Sequence, residues 1–221
     1  MEGNKYSVIL FDLDGTLTDS GPGIMHGFEY AIKEMGNTVE DKATLRRFIG
    51  PPLEYSFGTI LGYSDADTKK AITLYREYYF NRGGVMENEV YPGIEELLRN
   101  LKESGKKLAV ATSKSEKGTN IVLEHFGLTK FFDVVATSND TDRRTKTDVI
   151  RFAIDSLKIT DKNMVLMIGD RNQDINAANE TGIDSVGVLW GYGDRKELEG
   201  AGATFIVEKP SDILKLVSYR F

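Results

Sequence analysis

The stretch from Ser7 to Leu17 constrains the fold more than any other part of the chain. Val8–Phe11 is an unbroken apolar run, which is typical of a strand buried on both faces of a parallel sheet. Asp12 and Asp14 follow at once, and side chains two residues apart share one face of an extended strand. Two like charges so close are unfavourable unless a cation lies between them or one stays protonated. The stretch predicts a buried strand that ends in a cation-binding carboxylate pair, and a plain acidic turn is the alternative.

The chain from residue 18 to residue 85 has a helical pattern. Ile24, Phe28 and Ile32 recur at helical spacing. Ser64 and Asp67 form a capping-box pattern that opens a later helix. No convincing strand pattern occurs before residue 85. The sequence therefore predicts a small all-helical domain at residues 18–85, inserted after the first strand of a core domain formed by residues 1–17 and 86–221.

From Tyr91 onward, apolar runs of strand length alternate with helical patterns. Such alternation is the signature of βαβ units, whose crossovers are right-handed. It predicts an α/β core with a mostly parallel, Rossmann-like sheet and helices on both faces. Ser211 is expected to cap the final helix. The predicted strands of this part are residues 108–111, 132–136, 164–168, 184–189 and 204–207.

Carboxylates follow a second apolar run as well. Asp170 lies two residues after the predicted strand 164–168, and Asp174 lies four residues further on. The carboxyl ends of parallel strands lie along one edge of a sheet, so these side chains can meet Asp12 and Asp14. Carboxylate, backbone and water oxygens are hard ligands that suit Mg²⁺ better than a soft transition metal. Capping of the next helix is the alternative for Asp170.

Phosphate-binding groups are expected at the same edge. Thr112 and Ser113 end another strand where a helix begins, and offer a hydroxyl and N–H groups to a phosphate. Lys146, just before a helix, can neutralise both a phosphate and a nucleophile. The alternatives are that Thr112 and Ser113 merely cap a helix and that Lys146 is a solvated lysine.

Composition narrows the classes of partner. The chain has 221 residues with 28 Lys+Arg and 34 Asp+Glu, a formal net charge of −6, which argues against a nucleic-acid partner. It has no cysteine, which excludes disulfides and thiol catalysis. No apolar run approaches membrane length, so a cytoplasmic protein with no membrane partner is expected. The sequence does not indicate an oligomeric state.

The ordered set of strand-end residues resembles the four motifs of the haloacid dehalogenase superfamily, and the helical insert resembles that family's cap. Within the superfamily the chain is similar to the phosphoglycolate-phosphatase-like branch. The segments Arg47–Pro52 and Trp190–Gly193 add to this likeness. The four motifs stand here as Asp12-Leu13-Asp14-Gly15-Thr16, Thr112-Ser113, Lys146 and Gly169-Asp170-Arg171-Asn172-Gln173-Asp174.

The resemblance implies a role for each residue. Asp12 would be the nucleophile that takes the phosphoryl group, and Asp14 the acid that protonates the leaving oxygen and then the base for water. Phosphate would be bound by Thr112, Ser113 and Lys146. Mg²⁺ would be held by Asp12, the backbone carbonyl of Asp14, Asp170 and, in or just outside the first shell, Asp174.

The sequence departs from the family pattern at three positions. Thr147 follows Lys146 where proline is common, so the assignment of this lysine depends on spacing. Gln173 and Asn176 replace an expected histidine and glycine. None of these changes removes a catalytic group.

The predicted function is Mg²⁺-dependent hydrolysis of a small phosphorylated metabolite such as phosphoglycolate, a nucleotide or a sugar phosphate. A phosphosugar mutase of the same superfamily is the first alternative. A phosphate-binding or interaction protein without useful turnover is the second, although a binder has no need of an acid at Asp14. Substrate choice is assigned to the inserted domain, where Arg47 and Gly50 lie in a kinked segment that cannot continue a helix.

Overall fold

The structure, a computed structural model, describes residues 5–139 and 141–218 of the chain. The strands are β1 (Val8–Phe11), β2 (Thr18–Asp19), β3 (Glu89–Val90), β4 (Lys107–Ser115), β5 (Val134–Ser138), β6 (Val165–Gly169), β7 (Asp184–Val188) and β8 (Phe205–Val207). The α-helices are α1 (Gly21–Glu34), α2 (Asp65–Arg76), α3 (Ile94–Glu103), α4 (Glu116–His125), α5 (Lys146–Ser156), α6 (Asn172–Thr181), α7 (Arg195–Gly200) and α8 (Pro210–Ser218). Short 3₁₀ or π-helical turns lie at Lys42–Phe48, Tyr55–Ile60, Glu77–Asn81, Gly84–Met86, Thr129–Phe131 and Lys162–Met164.

The described residues form two compact units. The core unit contains those up to Thr18 together with those from Val90 on, and the insert unit is Asp19–Glu89. The chain leaves the core unit within β2 and returns to it within β3. The predicted domain limits were residues 17/18 and 85/86, and the interpretation of the insert as a cap stays a prediction.

The core unit is built on a six-stranded sheet in the order β5-β4-β1-β6-β7-β8. All of its strand pairs are parallel, so the predicted α/β fold is confirmed. The chain runs outward from β1 through β4 to β5 and then crosses to β6 on the other side of β1. This reversal of strand order is where open α/β sheets bind ligands, at the carboxyl ends of the strands.

Both faces of β1 are covered, as its unbroken apolar run predicts. Val8 and Leu10 belong to a buried cluster that includes residues of α5 and α6. Ile9 and Phe11, which alternate onto the opposite face, are also fully buried. β1 is therefore a fully buried central strand, paired with β4 on one side and with β6 on the other.

Several elements differ from the sequence prediction. The two-residue strand β2 lies before residue 85, where no strand was expected, and β5 is shifted by two residues from the predicted range 132–136. β4 runs on to Ser115, four residues further than expected, and its pairing with β5 becomes irregular between Thr112 and Ser115. α8 begins at Pro210, so Ser211 lies in its first turn and does not cap it; proline suits a first helical position because it lacks the N–H group. α7 was not predicted, since six residues give too little periodicity.

The insert unit is helical with an aromatic core of its own. Phe28 on α1 is fully buried, and its ring centroid lies 4.7 Å from that of Phe48, 4.8 Å from that of Phe57 and 5.0 Å from that of Tyr75. Ser64 caps α2 by accepting a hydrogen bond from the backbone N–H of Asp67, as predicted. Among the described residues, no helix has both the length and the apolar character needed to span a bilayer.

Candidate active site

A tight loop after β1 places the two predicted catalytic carboxylates. The backbone N–H of Asp12 still donates to the Ile168 carbonyl on β6 at 2.9 Å, which fixes Asp12 at the end of the sheet. The chain then turns back, and the N–H of Gly15 donates to the Thr18 carbonyl at 2.8 Å. Gly15 has φ +85°, and a Cβ built on it lies 2.2 Å from Oδ2 of Asp170. Only glycine fits this position without displacing a neighbouring carboxylate.

Three buried carboxylates converge at the ends of β1 and β6. Asp12, Asp170 and Asp174 each offer an oxygen, and these oxygens lie within 4.8 Å of one another. We call these three residues the acidic cluster. They are three of the four predicted metal-binding residues; Asp14, assigned to the metal through its backbone carbonyl, does not contribute its carboxylate.

Lys146 lies against this cluster from the first turn of α5. Its Nζ is 2.7 Å from Oδ1 of Asp12 and 2.8 Å from Oδ1 of Asp174. The contact with Asp12 is an ion pair. Lys146 is buried, so the alternative of a solvated lysine is wrong. Thr145 and Asp148 form a capping box that fixes the start of this helix.

The acidic cluster carries more negative charge than Lys146 can balance. Burial is the largest cause that raises the pKa of Asp12 to about 6, and the negative charge of Asp174 adds to it while Lys146 opposes it. Burial and the carboxylates of Asp174 and Asp12 raise the pKa of Asp170 well above its ordinary value. Burial alone would lower the pKa of Lys146, but Asp12 and Asp174 outweigh it and raise that pKa.

This charge imbalance fits a cation. Three carboxylates face one ammonium group in a buried site, where an uncompensated negative charge is costly. A divalent cation with oxygen ligands would remove this penalty. The acidic cluster therefore fits a divalent metal ion in its charge and in its oxygen ligands.

Neighbouring groups hold Asp170 and Asp174 in place. Asp170 accepts hydrogen bonds from the Thr16 hydroxyl at 3.2 Å and from the backbone N–H of Tyr192 at 2.8 Å. Oδ2 of Asp174 accepts from the backbone N–H of Arg171 at 3.1 Å and so closes the first turn of α6. Arg171 is the residue at the N-cap position, and the alternative that Asp170 caps this helix is wrong.

Thr112 and Ser113 lie at the same edge of the sheet, on β4. Phe11 pairs with Val110 on β4 and with Ile168 on β6, so Asp12, Thr112 and Asp170 lie one or two residues beyond the same level of three adjacent strands. Ser115, rather than Thr112 or Ser113, precedes α4, so the helix-capping alternative is wrong for both residues. Their predicted contact with a phosphate stays a prediction.

The predicted specificity residues belong to the insert unit. Arg47 is exposed on the 3₁₀ turn Lys42–Phe48, and its guanidinium lies 5.0 Å from the centroid of the Phe48 ring. Gly50 has φ +105°, a backbone conformation that favours glycine. Their role in substrate choice stays a prediction.

The structure reveals a lysine that the sequence reasoning missed. Nζ of Lys114 lies 3.1 Å from each carboxylate oxygen of Asp14. Lys114 directly follows Thr112 and Ser113 on β4, so its place at a strand end was an available signal. The pairing itself joins residues 100 positions apart and leaves no periodic pattern in the sequence.

The segment Trp190–Gly193, which we call the glycine loop, packs on the acidic cluster. The indole N–H of Trp190 donates to the Thr16 carbonyl at 3.0 Å. A Cβ built on Gly191 lies 2.3 Å from the Gly15 carbonyl oxygen and 2.4 Å from Cβ of Asp170. In the sequence this segment contributes only to the family resemblance, because the close approach of its backbone to Gly15 is visible only in three dimensions.

We expect the substitution Gly191→Ala to lower both stability and activity. The added methyl group has no room between Gly15 and Asp170, and overpacking of this kind costs about 1–3 kcal/mol. Denaturant unfolding and steady-state kinetics measure the two effects. Gly200→Ala is the matched control, because a Cβ there meets nothing within 4 Å; it should change the free energy of unfolding by less than about 1 kcal/mol. Equal behaviour of the two variants would contradict the packing role of Gly191.

Comparisons with known proteins agree with this geometry. The family model described as haloacid dehalogenase-like hydrolase matches residues 9–188. Tyrosine-protein kinase PtkA of Mycobacterium tuberculosis is 38% identical over 206 residues, which cover 92% of this chain and 69% of that protein. A 5′-nucleotidase of Pseudomonas aeruginosa is 39% identical over 195 residues, 88% of this chain and 87% of that protein.

A solved structure of high similarity is that of a predicted phosphatase from Clostridium acetobutylicum. It superposes with a TM-score of 0.90 at 43% identity and covers 95% of this chain and 97% of its own. The family and the hydrolase class that the four motifs predicted are thereby confirmed. This chain is an enzyme of the haloacid dehalogenase-like hydrolase family.

Proposed function

We propose that the protein is a Mg²⁺-dependent phosphatase that hydrolyses a small phosphorylated metabolite, in the cytoplasm, through an aspartyl phosphate on Asp12. One observation carries the proposal. Asp12 is buried at the end of β1, with the Lys146 ammonium 2.7 Å from its Oδ1, in an acidic cluster suited to a divalent cation. A carboxylate can attack a phosphate dianion only where positive charge neutralises both groups.

The proposed reaction has two steps. An Asp12 oxygen bonds to phosphorus as the bond from phosphorus to the leaving oxygen breaks, and Asp14 gives its proton to that oxygen. Water then attacks the phosphorus of the aspartyl phosphate, Asp14 takes a proton from the water, and inorganic phosphate and free Asp12 result. Thr112, Ser113 and Lys146 hold the phosphoryl oxygens in both steps.

Mg²⁺ would be held by Asp12, the backbone carbonyl of Asp14 and Asp170, with Asp174 beside them. When bound, it supplies positive charge against the nucleophile and the phosphoryl group. Asp14 supports phosphoryl transfer over dehalogenation, because a halide leaving group needs no proton. The names of the related 5′-nucleotidase and of the Clostridium acetobutylicum structure also support a phosphatase.

Phosphate release from a substrate panel tests the proposal. The panel contains 4-nitrophenyl phosphate, phosphoglycolate, a nucleoside 5′-monophosphate and a sugar phosphate, each assayed with Mg²⁺ and with excess chelator. We expect release that requires Mg²⁺, and inhibition by Ca²⁺ because its larger, looser coordination shell positions the groups less well. Full activity in excess chelator would overturn the metal assignment. Isomerisation of a sugar phosphate without phosphate release would indicate a mutase instead.

The metal assignment has a readout that is independent of turnover. Mg²⁺ that binds only the folded protein raises the free energy of unfolding by about 2.7 kcal/mol at a concentration 100 times its Kd. Asp170→Asn keeps the shape of the side chain while removing its charge, so we expect the Mg²⁺-dependent rise in melting temperature to disappear. An unchanged rise in this variant would exclude Asp170 as a ligand.

A further inference from the structure

Lys114 contacts the carboxylate that the proposed reaction places beside the leaving group. Its Nζ lies 3.1 Å from both oxygens of Asp14. Asp14 must touch the leaving oxygen to give it a proton, so the ammonium group stands within reach of the atoms attached to that oxygen. Lys146 lies on the other catalytic carboxylate, Asp12. The site therefore has one lysine for the nucleophile and another for the leaving-group side.

The position of Lys114 is built into the fold. Its side chain is only 8% exposed. A Cβ built on Gly118 of α4 lies 3.1 Å from Cε of Lys114 and 3.4 Å from its Cγ, so the aliphatic stem runs along the surface that this glycine leaves open. An ammonium group fixed in this way loses little conformational freedom when it binds an anion.

A fixed ammonium group on the leaving-group side can recognise negative charge. Hydrogen bonds between charged groups are the strong ones, and they are stronger still in a site shielded from water. We propose that Lys114 selects phosphate esters and anhydrides whose leaving group carries a second anionic group, a carboxylate or a phosphate, within a few bonds of the leaving oxygen. This inference deepens the proposed function and rests on it.

A purely positioning role for Lys114 predicts a different result. If Lys114 only holds Asp14 in place, its loss lowers the hydrolysis of two substrates with equally basic leaving groups by the same factor, because the acid matters equally to both. If Lys114 binds an anionic leaving group, its loss lowers kcat/KM more for a substrate whose leaving group is anionic than for one whose leaving group is neutral. The ratio of kcat/KM values for a matched pair of substrates separates the two roles, because displacement of Asp14 cancels in the ratio.

The test compares 2-phosphoglycolate with its uncharged amide, 2-phosphoglycolamide. We expect the wild-type protein to prefer the carboxylate, and Lys114→Met to lower the ratio of kcat/KM values by about 10- to 100-fold, the size of one charge-assisted hydrogen bond. Lys114→Arg, which keeps the charge, should retain part of the preference. Lys130→Met, at a lysine whose side chain is 64% exposed, controls for the loss of one positive charge and should leave the ratio unchanged.

Inorganic pyrophosphate, assayed beside 4-nitrophenyl phosphate in the same variants, gives the corresponding ratio for a second phosphate, because phosphate and 4-nitrophenolate are leaving groups of similar basicity. The ratio that falls more in Lys114→Met identifies the anion that Lys114 prefers. If the wild type hydrolyses 4-nitrophenyl phosphate but neither ratio falls in Lys114→Met, the inference about Lys114 is overturned and the proposed function stands. If the wild type hydrolyses none of these compounds, the proposed function fails, and the inference fails with it.

Discussion

We expect Asp12→Asn to lower phosphatase turnover by at least about 10⁴-fold, as the loss of a catalytic nucleophile does in other hydrolases. The amide keeps the shape of the side chain but cannot attack phosphorus. Release of 4-nitrophenol from 4-nitrophenyl phosphate at saturating Mg²⁺ measures the effect. A folded variant that retained more than a few per cent of wild-type activity would show that another group is the nucleophile.

The thermal stability of Asp12→Asn shows whether its activity is lost because the nucleophile is missing or because the protein no longer folds. The pKa of Asp12 is raised from 3.8 to about 6 in the folded protein. The folded state therefore favours protonated Asp12, and the stability this gives is present below pH 3.8 and lost as the pH rises to about 6. Without metal at pH 7.5, Asp12→Asn should melt no lower than the wild type, because the amide never carries the buried charge. A clear loss of stability at that pH would mean that the ionised carboxylate is needed for folding.

We expect Asp14→Asn to reduce turnover by roughly 10²–10⁴-fold, and by an amount that depends on the leaving group. Proton transfer to the leaving oxygen matters most when that oxygen is a strong base, as in an alkyl phosphate. It matters least for 4-nitrophenolate, which leaves without a proton. Single-turnover rates for a series of aryl and alkyl phosphates measure this dependence. An equal loss across the series would contradict the role of Asp14 as the acid.

The fold was predictable because its signals are local. Two patterns among residues close together in the sequence carry the prediction: the unbroken apolar run Val8–Phe11 and the later alternation of strands and helices. The burial of β1 on both faces follows from the first of them. α7 escaped prediction because a helix of six residues shows less than two turns of periodicity.

The carboxyl ends of parallel strands lie along one edge of a sheet, and this rule predicted which polar residues could meet. The structure brings together Asp12, Asp170, Asp174 and Lys146. What the rule does not contain is the pairing of side chains across the site. Lys114, which contacts Asp14, lies in the irregular end of β4, and the fit of Gly191 against Gly15 depends on ångström-scale packing. Such features arise from tertiary approach between segments far apart in the chain, and single-sequence patterns do not record them.

Chemical trapping of the phosphorylated residue tests the central claim, that Asp12 takes the phosphoryl group. Asp14→Asn is the protein to use, because loss of the base for water should let the aspartyl phosphate accumulate, while 4-nitrophenyl phosphate still loads it. Reduction with borohydride converts an aspartyl phosphate into homoserine, which peptide mass spectrometry locates. We predict homoserine at position 12, dependent on both Mg²⁺ and substrate. Homoserine at another carboxylate, or steady phosphate release with no trapped residue, would contradict the assignment of Asp12.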